Sequence, residues 1–391
     1  MRIRFRLQAT LVAVALSTLI SSGASAQQAL KIGLIVPMTG PFASTGKQVD
    51  AAVRLYLAEH GDVVAGRKIE VLLRDDTGVA PETTKRFAQE LITNDHAEII
   101  AGFGLTPLAF AAAPVATETK VPMIVMSAGT LIIPQKSPYI LRTSFTLPQQ
   151  TAPMAMWAAE HDIKKVYTIV TDYGPGIDAE TTLKTVLTAN GGAVTGSARV
   201  PLNNPDYAPF VQRAKDAKPD AMFIFVPSGE GSAVMKQFAE RGLAAAGIKL
   251  IGTGDVTDDD ILDSMGDPAL GTITSHFYSA AHPSPENQAF VAAFEKANAG
   301  MRPNFMAVGG YDGMALIYEV LKKTGGSTDG DKFVSAAKGL SWTSPRGTMT
   351  IDPATRDVIQ DVYLRKVERV NGHLYNVEFD RIASVPPDGG K

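Results

Sequence analysis

Asp76, Thr77 and Gly78 spell the tripeptide of an aspartic protease. That chemistry needs two such carboxylates sharing one proton. No second Asp-Thr-Gly follows, so Asp75 and Asp76 read as a turn at a strand end. The six histidines are His60, His96, His161, His276, His282 and His373. None has the H-x-x-x-H or H-E-x-x-H spacing that aims two ring nitrogens from one helix face. Cysteine is absent, which removes disulfides, thiolate metal sites, a cysteine nucleophile and a lipid-bearing cysteine. Ser228 lies outside any G-x-S-x-G elbow. Gly102/Gly104 and Gly252/Gly254 each lack the third glycine of a dinucleotide loop. The acidic run over 255–263 lacks the glycine and closing glutamate of an EF-hand loop. It reads as a solvated helix start whose first residue, Asp255, could face a ligand. No nucleophile–base constellation stands out, so no enzyme, metal or cofactor is expected.

The remaining chemistry lies in six similar loops. They are 37–44 (PMTGPFAS), 102–108 (GFGLTPL), 126–130 (MSAGT), 171–176 (TDYGPG), 227–231 (PSGEG) and 252–257 (GTGDVT). Each follows a predicted strand. In open α/β sheets, ligands bind outside the carboxyl ends of strands. Helices starting there point N–H groups and partial positive charge at an anion. Hydroxyls and free amides suit a carboxylate, and Phe or Tyr faces suit an apolar group.

The elements that must position these loops alternate. Short apolar runs predict strands at 30–36, 68–74, 98–101, 121–126 and 139–143. Helical spacing predicts helices at 45–60, 81–93 and 107–117 between them. The rhythm restarts with helices at 148–161, 178–190, 206–217 and 229–242. Strands are predicted at 165–171, 193–200, 221–226, 249–252 and 272–278. Helices at 285–299, 305–324 and 332–338 follow, then strands at 347–351, 358–367 and 373–379 and a Pro/Gly-rich stub. Two successive β/α runs predict two α/β lobes with parallel sheets.

Composition sets the compartment. Residues 1–26 carry Arg2, Arg4 and Arg6, an apolar run over 11–20, and Ala24-Ser25-Ala26. This is the three-part pattern of a cleaved secretory signal. The apolar run is too short to span a bilayer, which needs about 20 residues. Cleavage would leave 365 residues and shift the formal net charge from −3 to −6. A mildly acidic chain without a basic block is a poor partner for nucleic acid. The expected location is the periplasm.

Order and spacing then carry a family resemblance. Residues 31–46 (KIGLIVPMTGPFASTG) resemble the opening strand and ligand loop of the branched-chain amino-acid (Leu/Ile/Val-binding) type solute-binding proteins of ABC importers. So do 69–76 (IEVLLRDD), 121–130 (VPMIVMSAGT) and 137–143 (SPYILRT), with Asp172, Tyr173 and Gly174, and Tyr311 and Asp312. The resemblance spans essentially the whole mature chain. It implies two doubly wound lobes joined by three crossovers, the type I periplasmic binding protein fold. By that analogy lobe 1 comprises 27–144 plus 280–340, and lobe 2 comprises 145–279 plus 341–391.

The resemblance also implies ligand-binding residues. Thr106 corresponds to a hydroxyl that contacts the ligand carboxylate. Ala128, Gly129 and Thr130 correspond to the segment that meets the head group. Phe42 is the bulky residue of the first loop, and Tyr173 the tyrosine of the second lobe. Asp255 falls near the acid that pairs with an α-ammonium. Ser228 and Glu230 lie where the second lobe closes. The serine-rich string of the family is missing at 128–130. The implied function is capture of a small carboxylate solute and delivery to a membrane permease by a monomer. The resemblance favours an amino acid. The alternative is an aromatic acid, with Phe42, Phe103, Phe110, Tyr173 and Tyr278 as pocket candidates. A ligand-sensing periplasmic receptor is the alternative from another class.

Overall fold

The computed structural model describes residues 29–390. The expected signal segment lies outside them. The first strands are β1 (Leu30–Val36), β2 (Val63–Val64), β3 (Arg67–Asp75), β4 (Ile99–Gly102), β5 (Met123–Val125) and β6 (Ile140–Arg142). Among them run α1 (Ala43–His60), α2 (Pro81–Thr93) and α3 (Thr106–Thr119). The strands form one sheet in the order β2-β3-β1-β4-β5-β6. All its pairings are parallel except the β2–β3 hairpin. Its central strands β1, β4 and β5 are apolar along almost their whole length, as a sheet covered on both faces requires.

The chain then crosses into a second lobe. It holds α4 (Leu147–Glu160), β7 (Lys165–Thr171), α5 (Gly174–Ala189), β8 (Ala193–Val200) and α6 (Ala208–Asp216). These are followed by β9 (Ala221–Phe225), α7 (Gly231–Glu240), β10 (Lys249–Thr253), the short α8 (Leu262–Met265) and β11 (Ile273–His276). A second crossover leads to α9 (Pro285–Ala297), α10 (Phe305–Thr324) and α11 (Gly330–Ala337). Of these, α9 and α10 pack on α1, and α11 packs on α10, all on the first lobe. A third crossover returns to β12 (Ser341–Ser344), β13 (Gly347–Ile351), β14 (Val358–Val370) and β15 (His373–Val385). The second sheet runs β12-β13-β14-β11-β10-β9-β7-β8, with β15 also paired to β14. Strands β8 to β11 are parallel, and the C-terminal strands join antiparallel.

Local signals explain several boundaries. Thr146 and Gln149 form a reciprocal capping box at the start of α4. The Asn304 side chain accepts from the Met306 and Ala307 N–H groups to open α10, and left-handed Gly325 ends it. Gly309 lets α10 lie against the end of β5, since a Cβ there would sit 2.2 Å from the Met126 carbonyl oxygen.

The structure adds two short strands, β2 and β12, that the sequence reading did not predict, and it departs from that reading in three further places. The tail is not a loose stub from 380 on. Strand β15 runs to Val385 because β14 supplies partners that far. Helix α5 starts at Gly174 rather than 178, because Pro175 opens the first turn without needing its N–H. The acidic run is solvated only toward its end: Asp255, Asp258 and Asp259 are buried, and Asp263 is exposed.

Candidate functional site

The carboxyl ends of parallel strands from both lobes face one narrow cavity between the lobes. Phe42, just before α1, and Thr45 in its first turn form one wall. Gly104, Leu105 and Thr106 follow β4, and Ser127, Ala128 and Gly129 follow β5. Phe145 and Leu147 come from the first crossover, and Met306 from α10. The second lobe adds Tyr173 and Pro175 after β7, Phe225 at the end of β9, Pro227, Ser228 and Asp255.

Seven of the nine residues singled out from sequence therefore line one space: Phe42, Thr106, Ala128, Gly129, Tyr173, Ser228 and Asp255. Thr130 stands just outside, its hydroxyl 2.9 Å from that of Thr106. Glu230 turns away to a surface hollow lined by Pro41, Val79 and residues 202–205. Of the five aromatic candidates, only Phe42 and Tyr173 reach the cavity. Phe103 and Tyr278 are fully buried elsewhere in the core, and Phe110 packs against the outer side of the first sheet. Phe145 and Phe225 take their place. Phe225 was within reach of the sequence argument, because the last residue of a strand points where its loop begins.

The walls set the chemistry. The Tyr173 and Phe225 rings stack with centroids 6.0 Å apart. No Lys, Arg or His lines the cavity. Instead α1, α3 and α5 present their N-termini, preceded by Phe42, Leu105 and Tyr173, none of which caps with a side chain. Ala43 N–H donates to the Gly40 carbonyl and Pro107 and Pro175 carry no N–H, so the remaining first-turn N–H groups and the helix dipoles are what an anion would meet. Ser127 donates to the Gly104 carbonyl at 2.9 Å, which ties the β5 loop to the β4 loop. Arg142 holds the same segment from behind, donating to the carbonyls of Ala128, Thr130 and Leu131 while paired to Asp357 at 2.5 Å. Burial pushes the Asp255 carboxyl up to about 7 and pushes the imidazole of His276, which lies behind it, well below its ordinary range.

The two lobes are latched around this space. The Leu131 N–H of lobe 1 donates to Asp178 on α5 at 2.8 Å. Asn304 donates to Asp258 at 3.2 Å, and Ser44 bonds Asp260. Arg302 donates to the carbonyls of Asp259 and Leu374 at 3.2 and 2.9 Å and reaches Asp263 at 3.3 Å. The acidic run thus makes contacts between the lobes. Among the described residues no group of three acids or histidines could hold a metal ion. Replacing Arg302 with alanine removes bonds made only between closed lobes. The expected result is a Kd raised about tenfold, mostly through faster release, with little change in the ligand-free melting temperature. Stopped-flow release of bound ligand measures it, and an unchanged off-rate would remove Arg302 from the latch.

Comparison with known proteins agrees with this architecture. A family model described as periplasmic binding protein matches residues 29–372. The Leu/Ile/Val-binding protein homolog 6 of Brucella abortus is 42% identical over 371 residues, 94% of this chain and 95% of that protein. The crystal structure of an ABC transporter solute-binding protein from Rhodopseudomonas palustris BisB5, in complex with 3,4-dihydroxybenzoic acid, is 60% identical. It has a TM-score of 0.90 and covers 93% of this chain and 99% of that one. A second R. palustris solute-binding protein, in complex with 4-hydroxybenzoate, is 42% identical, with a TM-score of 0.89 over 92% of this chain and 98% of that one. The two sheets, three crossovers and inter-lobe cavity are those of the type I fold, and the chain belongs to the periplasmic binding protein family, in its branched-chain amino-acid type branch.

Proposed function

We propose that this chain is the solute-capturing component of an ABC importer and that its solute is an aromatic carboxylate. The observation that carries this is the lining itself. Four aromatic side chains from both lobes, Phe42, Phe145, Tyr173 and Phe225, share one cavity with three uncapped helix N-termini. A flat ring would pack against these aromatic faces, with its carboxylate toward N–H groups and the Thr106 hydroxyl. Burying roughly 150 Å² of ring at about 25 cal/mol per Å² contributes about 4 kcal/mol. Each charge-assisted bond adds about 1.5–3 kcal/mol. The 60% identical relative bound to 3,4-dihydroxybenzoic acid supports the same class. The nine residues named from sequence are the proposed ligand set, with Thr130 and Glu230 acting from outside the cavity.

In this reading no bond is broken. The ligand drives hinge closure by binding the closed lobes better than the open ones. The loaded monomer then docks on an inner-membrane permease. Residues 1–26 direct export to the periplasm and are removed. Lobe 1 comprises 27–144 plus 280–340, and lobe 2 the remainder of the mature chain. A second reading, an aliphatic amino acid, is favoured by the Asp255 carboxyl in the cavity and by the Leu/Ile/Val-binding relatives. Thermal-shift and calorimetric titration against benzoates and against leucine, isoleucine and valine separates the two. At 100 times Kd an aryl carboxylate stabilises by about 2.7 kcal/mol, whereas the amino acids leave the melting temperature unchanged. Stabilisation by the amino acids alone would replace the aromatic reading with the second.

A further inference from the structure

Among the described residues Asp255 is the only charged side chain facing the cavity, and it is 3% exposed. Its Oδ2 has no hydrogen-bond partner within the protein. A buried acceptor left this way weakens whatever state contains it by about 10- to 100-fold, unless a donor arrives. The nearest hydroxyl, that of Thr253 at the end of β10, favours the ionised carboxyl, yet neither it nor Oδ2 has a hydrogen-bond partner. On β11, His276 lies with Nε2 3.9 Å from Oδ2, too far for a hydrogen bond. The His276 ring stacks on Phe277 at 4.4 Å, and burial keeps it uncharged. On β14, Arg365 is committed to the carbonyls of Tyr278 and Gly254 and the hydroxyls of Thr257 and Thr274, with Asp259 at 3.9 Å. Tyr173 faces from the start of α5, and Asp258 and Asp259 share the segment of Asp255.

We propose that Asp255 reads a hydroxyl on the ring of the ligand, accepting its O–H on the carboxyl group, and so sets preference for hydroxylated over plain aryl carboxylates. The inference rests on the aromatic-acid reading, since a flat ring carries a hydroxyl where an amino acid carries an ammonium. The electrostatics agree. Burial pushes this carboxyl up to about 7. Below that pH it is uncharged and tolerates an anionic ligand in the same cavity. Above it, the ionised carboxylate repels the ligand's own carboxylate.

The test is calorimetry with benzoate, 4-hydroxybenzoate and 3,4-dihydroxybenzoate on wild type, Asp255→Asn and Asp255→Leu. Wild type should prefer a hydroxylated ligand by about 10- to 100-fold. Asp255→Asn keeps an acceptor and should keep most of that preference. Asp255→Leu should bind all three with a ratio near one. From about pH 6 to about pH 8 the wild-type affinity should fall up to about tenfold as Asp255 ionises, while Asp255→Asn stays flat. If Asp255→Leu does not fold, the pH profiles of wild type and Asp255→Asn decide. An undiminished preference in Asp255→Leu, no preference in wild type, or identical pH profiles would overturn the role of Asp255 alone. Failure of wild type to bind any of the three, with binding of amino acids, would overturn the aromatic reading and assign Asp255 to an ammonium.

Discussion

Replacing Arg346 with methionine should lower the free energy of unfolding by about 3–5 kcal/mol. The side chain is 1% exposed and sits where the crossovers meet. Its Nε donates to Asp312 on α10 at 2.8 Å, and Nη1 to the Ser144 carbonyl and the Gln360 side chain, each at 3.0 Å. Nη2 bonds the Thr143 carbonyl. The guanidinium also lies 4.5 Å over the Phe277 ring. One cation thus ties α10, the first crossover, the strand end near the second crossover and β14. Methionine fills much of the volume but leaves Asp312 buried, with only Trp342 Nε1 at 3.0 Å and Ser344 at 2.9 Å as donors. An uncompensated buried carboxylate is the costly part, more than the lost attraction. The double variant Arg346→Met with Asp312→Leu should therefore recover much of the loss. Urea denaturation of the four species completes the cycle. A single-variant loss below about 1 kcal/mol, well under the cost of breaking a buried pair, would mean that the pair does not hold the lobes together.

This arrangement also marks the boundary of what sequence could reveal. Strands and helices with strong periodicity were legible to the residue: 81–93, 165–171 and 305–324 are predicted and observed with the same ends. Those segments carry their own signals, namely Pro at a helix start, a β-branched and largely buried strand, and an Asn cap. The rule that ligands meet strand ends picked out the loops that hold Thr106, Tyr173, Ser228 and Asp255, the family resemblance named the residues, and all four line the cavity. It missed Phe145, in the first crossover, and Met306, in a helix, because only docking of the lobes brings them to the cavity. The acidic run was misread for a similar reason. A dense row of aspartates is normally solvated, and its burial depends on Arg365, Arg302, Asn304 and Asn376, all distant in sequence. Short strand β12 escaped notice because four residues give little periodicity to read.

Substituting valine for Gly174 should raise the Kd roughly 5- to 150-fold while leaving the ligand-free protein nearly as stable as wild type. Gly174 opens α5 in lobe 2 and meets lobe 1 directly. A Cβ there would lie 2.4 Å from Thr130 Oγ1 and 3.4 Å from Thr106 Cγ2. Its φ lies outside the left-handed range, so a β-branched residue meets no backbone strain. When the lobes are apart, the side chain at this position has only solvent before it. The clash exists only in the closed form, and overpacking of this kind costs about 1–3 kcal/mol. Because ligand binding is measured against the open form, that cost appears almost wholly in the affinity. The same contact gives Thr130 a role away from the cavity: it buttresses Thr106 and receives the incoming helix. Thr130→Ala added to Gly174→Val should therefore recover part of the lost affinity, although Thr130→Ala alone weakens binding. Calorimetry on the three variants measures this. An unchanged Kd in Gly174→Val would mean that the lobes bind ligand without closing to this distance.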